Sequence, residues 1–96
     1  MDEVKARQMI AQFAAEHLEQ MKGVDWASFS RHLKDRFPRT GGETFGCEED
    51  GQYFDVGDNV AWVAEVDGDI LLTAFAATQL NGQEIKDARS IVIQRP

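Results

Sequence analysis

A single cysteine, Cys47, stands among 96 residues, so no intramolecular disulfide can staple the fold, and a reducing compartment suits such a chain. Apolar runs are short: none approaches the roughly 20 residues that a membrane-spanning helix needs. Asp2 and Glu3 hold the N-terminal positions where a secretory leader carries positive charge. The expected location is therefore the cytoplasm, with no membrane partner. Cations are missing from the middle of the chain. Between Thr40 and Ile85 there is neither Lys nor Arg, against the acids Glu43, Glu48, Glu49, Asp50, Asp55, Asp58, Glu65, Asp67, Asp69 and Glu84. Affinity for nucleic acid comes mainly from clustered Lys and Arg, so nucleic acid is not an expected partner, and the ordinary meaning of so many acids is solubility. Arg31, Lys34, Arg36 and Arg39 form a small basic patch just before this stretch.

Chemical motifs are scarce as well. There is no P-loop, dinucleotide fingerprint or nucleophile elbow. The two histidines and the cysteine, at positions 17, 32 and 47, lack the short spacing of a metal site. The run DVGDN, Asp55 to Asn59, has neither the alternating acids nor the distal Glu of a calcium loop, and reads as a turn between strands. Arg39-Thr40-Gly41-Gly42 lies after a helix and before a strand, the reverse of a phosphate loop, and reads as a linker. Cys47 has Glu48 and Glu49 beside it, which disfavour a thiolate; a buried apolar role is expected. Hence no catalytic, metal-ligating or cofactor-binding residue is expected, and no cofactor.

What the chain does contain is ordinary globular material, 43% apolar and 28% charged with a net charge of −7. Its length makes one domain, residues 1–96, that buries roughly two-thirds of its unfolded surface. Residues 1–38 read as helical. Met9, Ile10, Phe13, Ala14, His17, Leu18 and Met21 recur at helical spacing from Asp2 to Lys22, and Gly23 stops the run. His17 lies on that apolar stripe, where a histidine is normally a core residue with one ring nitrogen satisfied. Asp25 is placed to cap a second helix, Trp26 to Arg36, with Trp26, Phe29, Leu33 and Phe37 along one side, and Pro38 ends it.

Residues 43–96 read as strands. Asp50-Gly51 marks the tip of a hairpin that sets Phe45 against Val56 and Cys47 against Phe54. Asp67-Gly68 marks a second, between Asn59 and Thr78, and Gly57-Asp58-Asn59 is expected to join the two as a loop. A two-residue turn at Asp67-Gly68 would put Val60, Trp62, Leu71, Thr73 and Phe75 on one face and Ala61, Val63, Ile70, Leu72 and Ala74 on the other. Asn81-Gly82 signals a further turn, residues 83–87 are open between strand and helical turn, and Ala88 to Gln94 reads as a last strand.

The expected fold is α+β in two layers, with an N-terminal helix pair packed on one face of a four- to five-stranded antiparallel meander. Two helices can cover one face only. The other, carrying Val63, Ile70 and Leu72 with Tyr53 at its rim, is then a candidate interaction surface, covered by a second copy in a homodimer or by another protein partner. That points to a non-enzymatic interaction or regulatory module. Two alternatives stand beside it: an acidic decoy that mimics nucleic acid to a basic protein, and a ligand-binding or hydrolytic pocket between helices and sheet holding His17 or His32 and one carboxylate.

Overall fold

Asp2 and Asp25 both adopt extended backbone, and each carboxylate accepts a hydrogen bond from the N–H three residues on, Lys5 and Ser28, at 2.8 Å. This is N-cap geometry. In the computed structural model, which describes residues 1–96, these caps open α1 (Glu3–Met21) and α2 (Trp26–Leu33). Ala6, Ile10, Ala14, His17 and Leu18 form the buried stripe of α1; Phe29 and Leu33 anchor α2. The second helix stops three residues short of Arg36. Lys34 takes φ 60°, which breaks the helical ladder, and Phe37 is left exposed instead of joining the stripe.

Five strands follow: β1 (Thr40–Gly41), β2 (Thr44–Glu49), β3 (Gln52–Trp62), β4 (Ile70–Leu80) and β5 (Gln83–Ile93). All pairings are antiparallel, in the order β1-β3-β4-β5, with β2 also on β3. Both helices lie on one face of this sheet, so the molecule is a two-layer α+β fold. No helix is long and apolar enough to cross a membrane.

The β2–β3 hairpin has the expected register, Phe45 opposite Val56 and Cys47 opposite Phe54. Two expectations further along are corrected, and the conformation left open at residues 83–87 is settled. Gly57-Asp58-Asn59 is not a loop: β3 runs through it, so Val56 meets Ala76 and Phe54 meets Thr78. A side chain at Gly57 would strike the Glu43 carbonyl on one side and the Phe75 ring on the other, so the glycine serves close packing within a strand rather than a turn. The connection between β3 and β4 is the seven-residue segment Val63–Asp69, not a two-residue turn. It is closed by the Val63 N–H on the Asp69 carbonyl at 2.9 Å and fastened by the Trp26 indole N–H on the Gly68 carbonyl at 2.9 Å. Finally, β5 is one strand from Gln83 onward, immediately after the Asn81-Gly82 turn.

The longer loop changes the parity of the pairing. Trp62 faces Ile70 and Val60 faces Leu72, and a shift of one residue moves a whole strand's side chains to the opposite face. Ile70, Leu72 and Ala74 therefore join Val60 and Trp62 under the helices, with Leu18, Phe29 and Leu33 above them. Leu71, Thr73 and Phe75 turn outward. A second apolar cluster lies further along α1, where Ala6, Ile10 and Ala14 meet Phe54, Val56, Ala76 and Ile85. Leu72→Ala is expected to cost about 2–5 kcal/mol, whereas Val63→Ala, on a half-exposed side chain, should stay within about 0.5 kcal/mol. Urea denaturation of the two variants measures this; equal losses would contradict the face assignment.

Candidate functional site

The four residues expected to share a contact surface do not share one. Ile70 and Leu72 are 0% exposed in the core, because the Trp62–Ile70 pairing turns them toward the helices. Val63 is exposed in the β3–β4 loop, and Tyr53 is exposed on the outer face near the other end of β3, its ring lying across Gly46 where a side chain would have no room. An apolar surface built on Val63, Ile70 and Leu72 is therefore not available for contact.

The polar chemistry gathers on the inner side. Asp58 occupies an inward position of β3 between the buried Val56 and Val60, and its Oδ2 lies 2.8 Å from Nε2 of His17 on α1. Both side chains are close to nine-tenths buried. His17 is thus a core residue with one nitrogen engaged; its Nδ1 is sealed from solvent with no partner. Burying an ionisable pair carries a desolvation penalty that its mutual attraction often fails to repay. The pair also separates the two apolar clusters of the core. A carboxylate here is a departure from the best-packed choice.

A second acidic residue stands opposite it in register. The β1–β3 and β2–β3 pairings keep one register on either side of Gly42–Glu43, which sets Glu43 opposite Asp58, and the Asp58 N–H donates to the Glu43 carbonyl at 3.0 Å. Like charges directly opposite each other destabilise a sheet. The backbone is tight at this point: a Cβ on Gly42 would run into the Asp58 carbonyl. His32, in the last turn of α2, rests against Gly41, where a Cβ would collide with its ring. Phe45 stands edge-on to His17 with ring centroids 5.4 Å apart and is itself half exposed.

These groups wall a cleft of about 270 Å³ whose apolar lining includes Met21, Phe29 and Val60. On the far side of Phe45 is a smaller hollow of about 170 Å³ that reaches Cys47. Burial pushes the Cys47 thiol up, and the Glu49 and Asp55 carboxylates add to the effect, so this sulfur is not an activated nucleophile. His17, His32, Glu43 and Asp58 do not converge into a metal-holding group. The free nitrogen of His17 is sealed, while Asp58 itself lines the cleft.

No family model, curated protein or solved structure matches this chain. Of the groups at the cleft, Asp58 and Glu43 escape a reading of the sequence, Asp58 because it sits in a run that resembles a turn. The available signal is the alternation Val56-x-Asp58-x-Val60, in which an acid takes an inward position of a strand.

His17→Ala strands a buried carboxylate and is expected to cost about 3–5 kcal/mol. The double substitution His17→Leu with Asp58→Val should instead be neutral or stabilising, within about 1 kcal/mol of the parent or above it. Thermal and urea unfolding compare the two, and a double variant as weak as the single one would show that the pair is a stability element. Cys47 should react with a disulfide reagent more slowly than free cysteine at pH 8, with the rate still rising at pH values where free cysteine has levelled off.

Proposed function

We propose that this chain is a non-enzymatic binding protein whose helix–sheet cleft takes a small organic cation, an amine on an aromatic or aliphatic body. The observation that carries this reading is the pair of acidic residues at opposed positions, Glu43 and Asp58, in the wall of a cleft that also presents Met21, Phe29, Phe45 and Val60. An ammonium group would relieve their repulsion. Phe45 offers a ring to the same cation, and Met21, Phe29 and Val60 offer apolar contact to its body. The cleft is at the small end of ligand pockets, which limits the occupant to a molecule of about ten non-hydrogen atoms and an affinity near millimolar for a simple probe. The stretch from Thr40 to Ile85, empty of Lys and Arg, would favour arrival of a cation over an anion. A cytoplasmic setting suits the lone reduced cysteine.

The decoy alternative draws no support from the placement of the acids. Glu48, Glu49 and Asp50 lie at the β2–β3 tip, Glu65, Asp67 and Asp69 at the opposite end of β3, and Asp50 is already paired with Lys5 at 2.9 Å. A second reading, self-association, is favoured by one feature, the unpaired outer edge of β5.

Phenethylamine serves as the probe for the cleft, with phenylacetate as the matched anion, each titrated against amide and imidazole chemical shifts. Saturable shifts at His17, His32, Phe45 and Asp58 with the amine alone are expected. Gly41→Ala, which displaces the His32 ring, and Asp58→Asn, which removes one charge, should each weaken the amine at least several-fold while the fold persists. No saturable response to phenethylamine, or an equal response to phenylacetate, would overturn the reading.

A further inference from the structure

Strand β5 pairs with β4 along its whole length and with nothing on its other side. The bond from the Val63 N–H to the Asp69 carbonyl sets the hydrogen-bonding phase of the β3–β4 ladder. Odd-numbered residues of β4 bond to β3, so its even-numbered residues bond to β5. The Asp58 N–H to Glu43 carbonyl bond agrees, since it shows an even-numbered residue of β3 bonding away from β4. In the Ile70–Ile93 register, odd-numbered residues of β5 therefore bond inward. Glu84, Lys86, Ala88, Ser90 and Val92 turn their N–H and C=O groups to the open edge.

An open edge of this length is a template for another strand, and charged side chains on an edge normally discourage one. Here their signs defeat that purpose. Asp87 and Arg89 both sit on the helix side of β5, 3.2 Å apart from Oδ2 to Nε and partly exposed. They flank Ala88, the midpoint of Gln83–Ile93. When two copies of β5 are laid antiparallel in full overlap, Ala88 meets the partner's Ala88, and Asp87 meets the partner's Arg89 twice over by symmetry. Ile85 meets the partner's Ile91 on the same side. Sliding by one step either way sets Asp87 against the partner's Asp87, or Arg89 against the partner's Arg89. Complete overlap and charge complementarity thus select the same register.

The geometry points to a symmetric homodimer formed by antiparallel pairing of β5 with β5 about a two-fold axis at Ala88. The interface would exchange roughly ten backbone hydrogen bonds, two for each outward-facing pair. The Asp87–Arg89 pairs fall at non-hydrogen-bonded positions, where side chains approach most closely. A two-fold axis perpendicular to the sheet keeps both helix layers on one side, and the result is one continuous sheet with β1 and β2 at its outer edges. Those outer edges are unsuited to the same pairing: the ladder is interrupted at Gly42–Glu43, and Glu43, Glu48 and Glu49 have no cation among them. This inference extends the self-association reading and is independent of the cleft.

Sedimentation equilibrium of the full chain over a concentration series tests it, with circular dichroism to confirm folding of each variant. The wild type should reach twice the 10.8 kDa chain mass. Arg89→Asp and Asp87→Arg each place like charges across the axis and should raise the dissociation constant about tenfold or more. The exchanged double variant Asp87→Arg with Arg89→Asp should recover the dimer, which a general loss of edge-strand stability would not do. A wild type that stays monomeric up to NMR concentrations would overturn the proposal, as would a dimer indifferent to both reversals or one that the exchange fails to restore.

Discussion

Trp62 faces Ile70 across the central strands, and the inward or outward direction of β4 and β5 follows from that contact. Because strand side chains alternate, one register decides that Ile70, Leu72, Ala74 and Ala76 are sealed beneath the helices and that Leu71, Phe75 and Val92 are not. The pairing is held from both ends. At one end the Val63–Asp69 loop is closed by its own backbone bond and tied to α2 through Trp26; at the other, the Gln52 amide reaches the Thr78 hydroxyl and the Gln79 carbonyl. Two apolar clusters under the helices are the energetic consequence.

Between those clusters the chain accepts a polar element that packing alone would not select. Asp58 points inward because β3 does not turn at Gly57, and His17 meets it because the α1 stripe that supplies Ala14 and Leu18 to the core also carries an imidazole at that level. The Gly42–Glu43 segment, where the edge ladder is interrupted, packs closely against β3 beside the pair, so a candidate site with two acidic residues, two imidazoles and an aromatic edge results from backbone choices made in three separate segments. The outer edge of β5 is a different kind of feature. Its polar groups are simply unspent, and its charges are ordered in a way that fits a second copy of themselves.

Much of the architecture is legible in residue order, and the reasons differ by element. The Asp caps, the α1 stripe and the Asp50-Gly51 and Asn81-Gly82 turns are local signals, each settled within a few residues. The β2–β3 register follows from such a turn. The faces of β4 are not local: they depend on whether the connection after Trp62 has an even or an odd number of residues, and Asp67-Gly68 looks like a complete turn while being only part of a longer loop. Gly57-Asp58-Asn59 misleads in the same way, since its strand conformation is imposed by Phe75 packed over Gly57 and by His17 waiting for Asp58. For that reason the site was the least legible part. His17 and His32 stand out in the sequence, but the carboxylates that give the cleft its character become visible only once the strand they occupy is known to be unbroken.

Nuclear Overhauser contacts between α-protons across β3 and β4 test this account most directly, because they report both the register and the continuity of β3. Strong contacts between Trp62 and Ile70, Val60 and Leu72, and Asp58 and Ala74 are predicted, since each pair is non-hydrogen-bonded and close. A Val63–Leu72 contact in their place, or a contact between Val56 and Val60 marking a turn at Asp58, would contradict it.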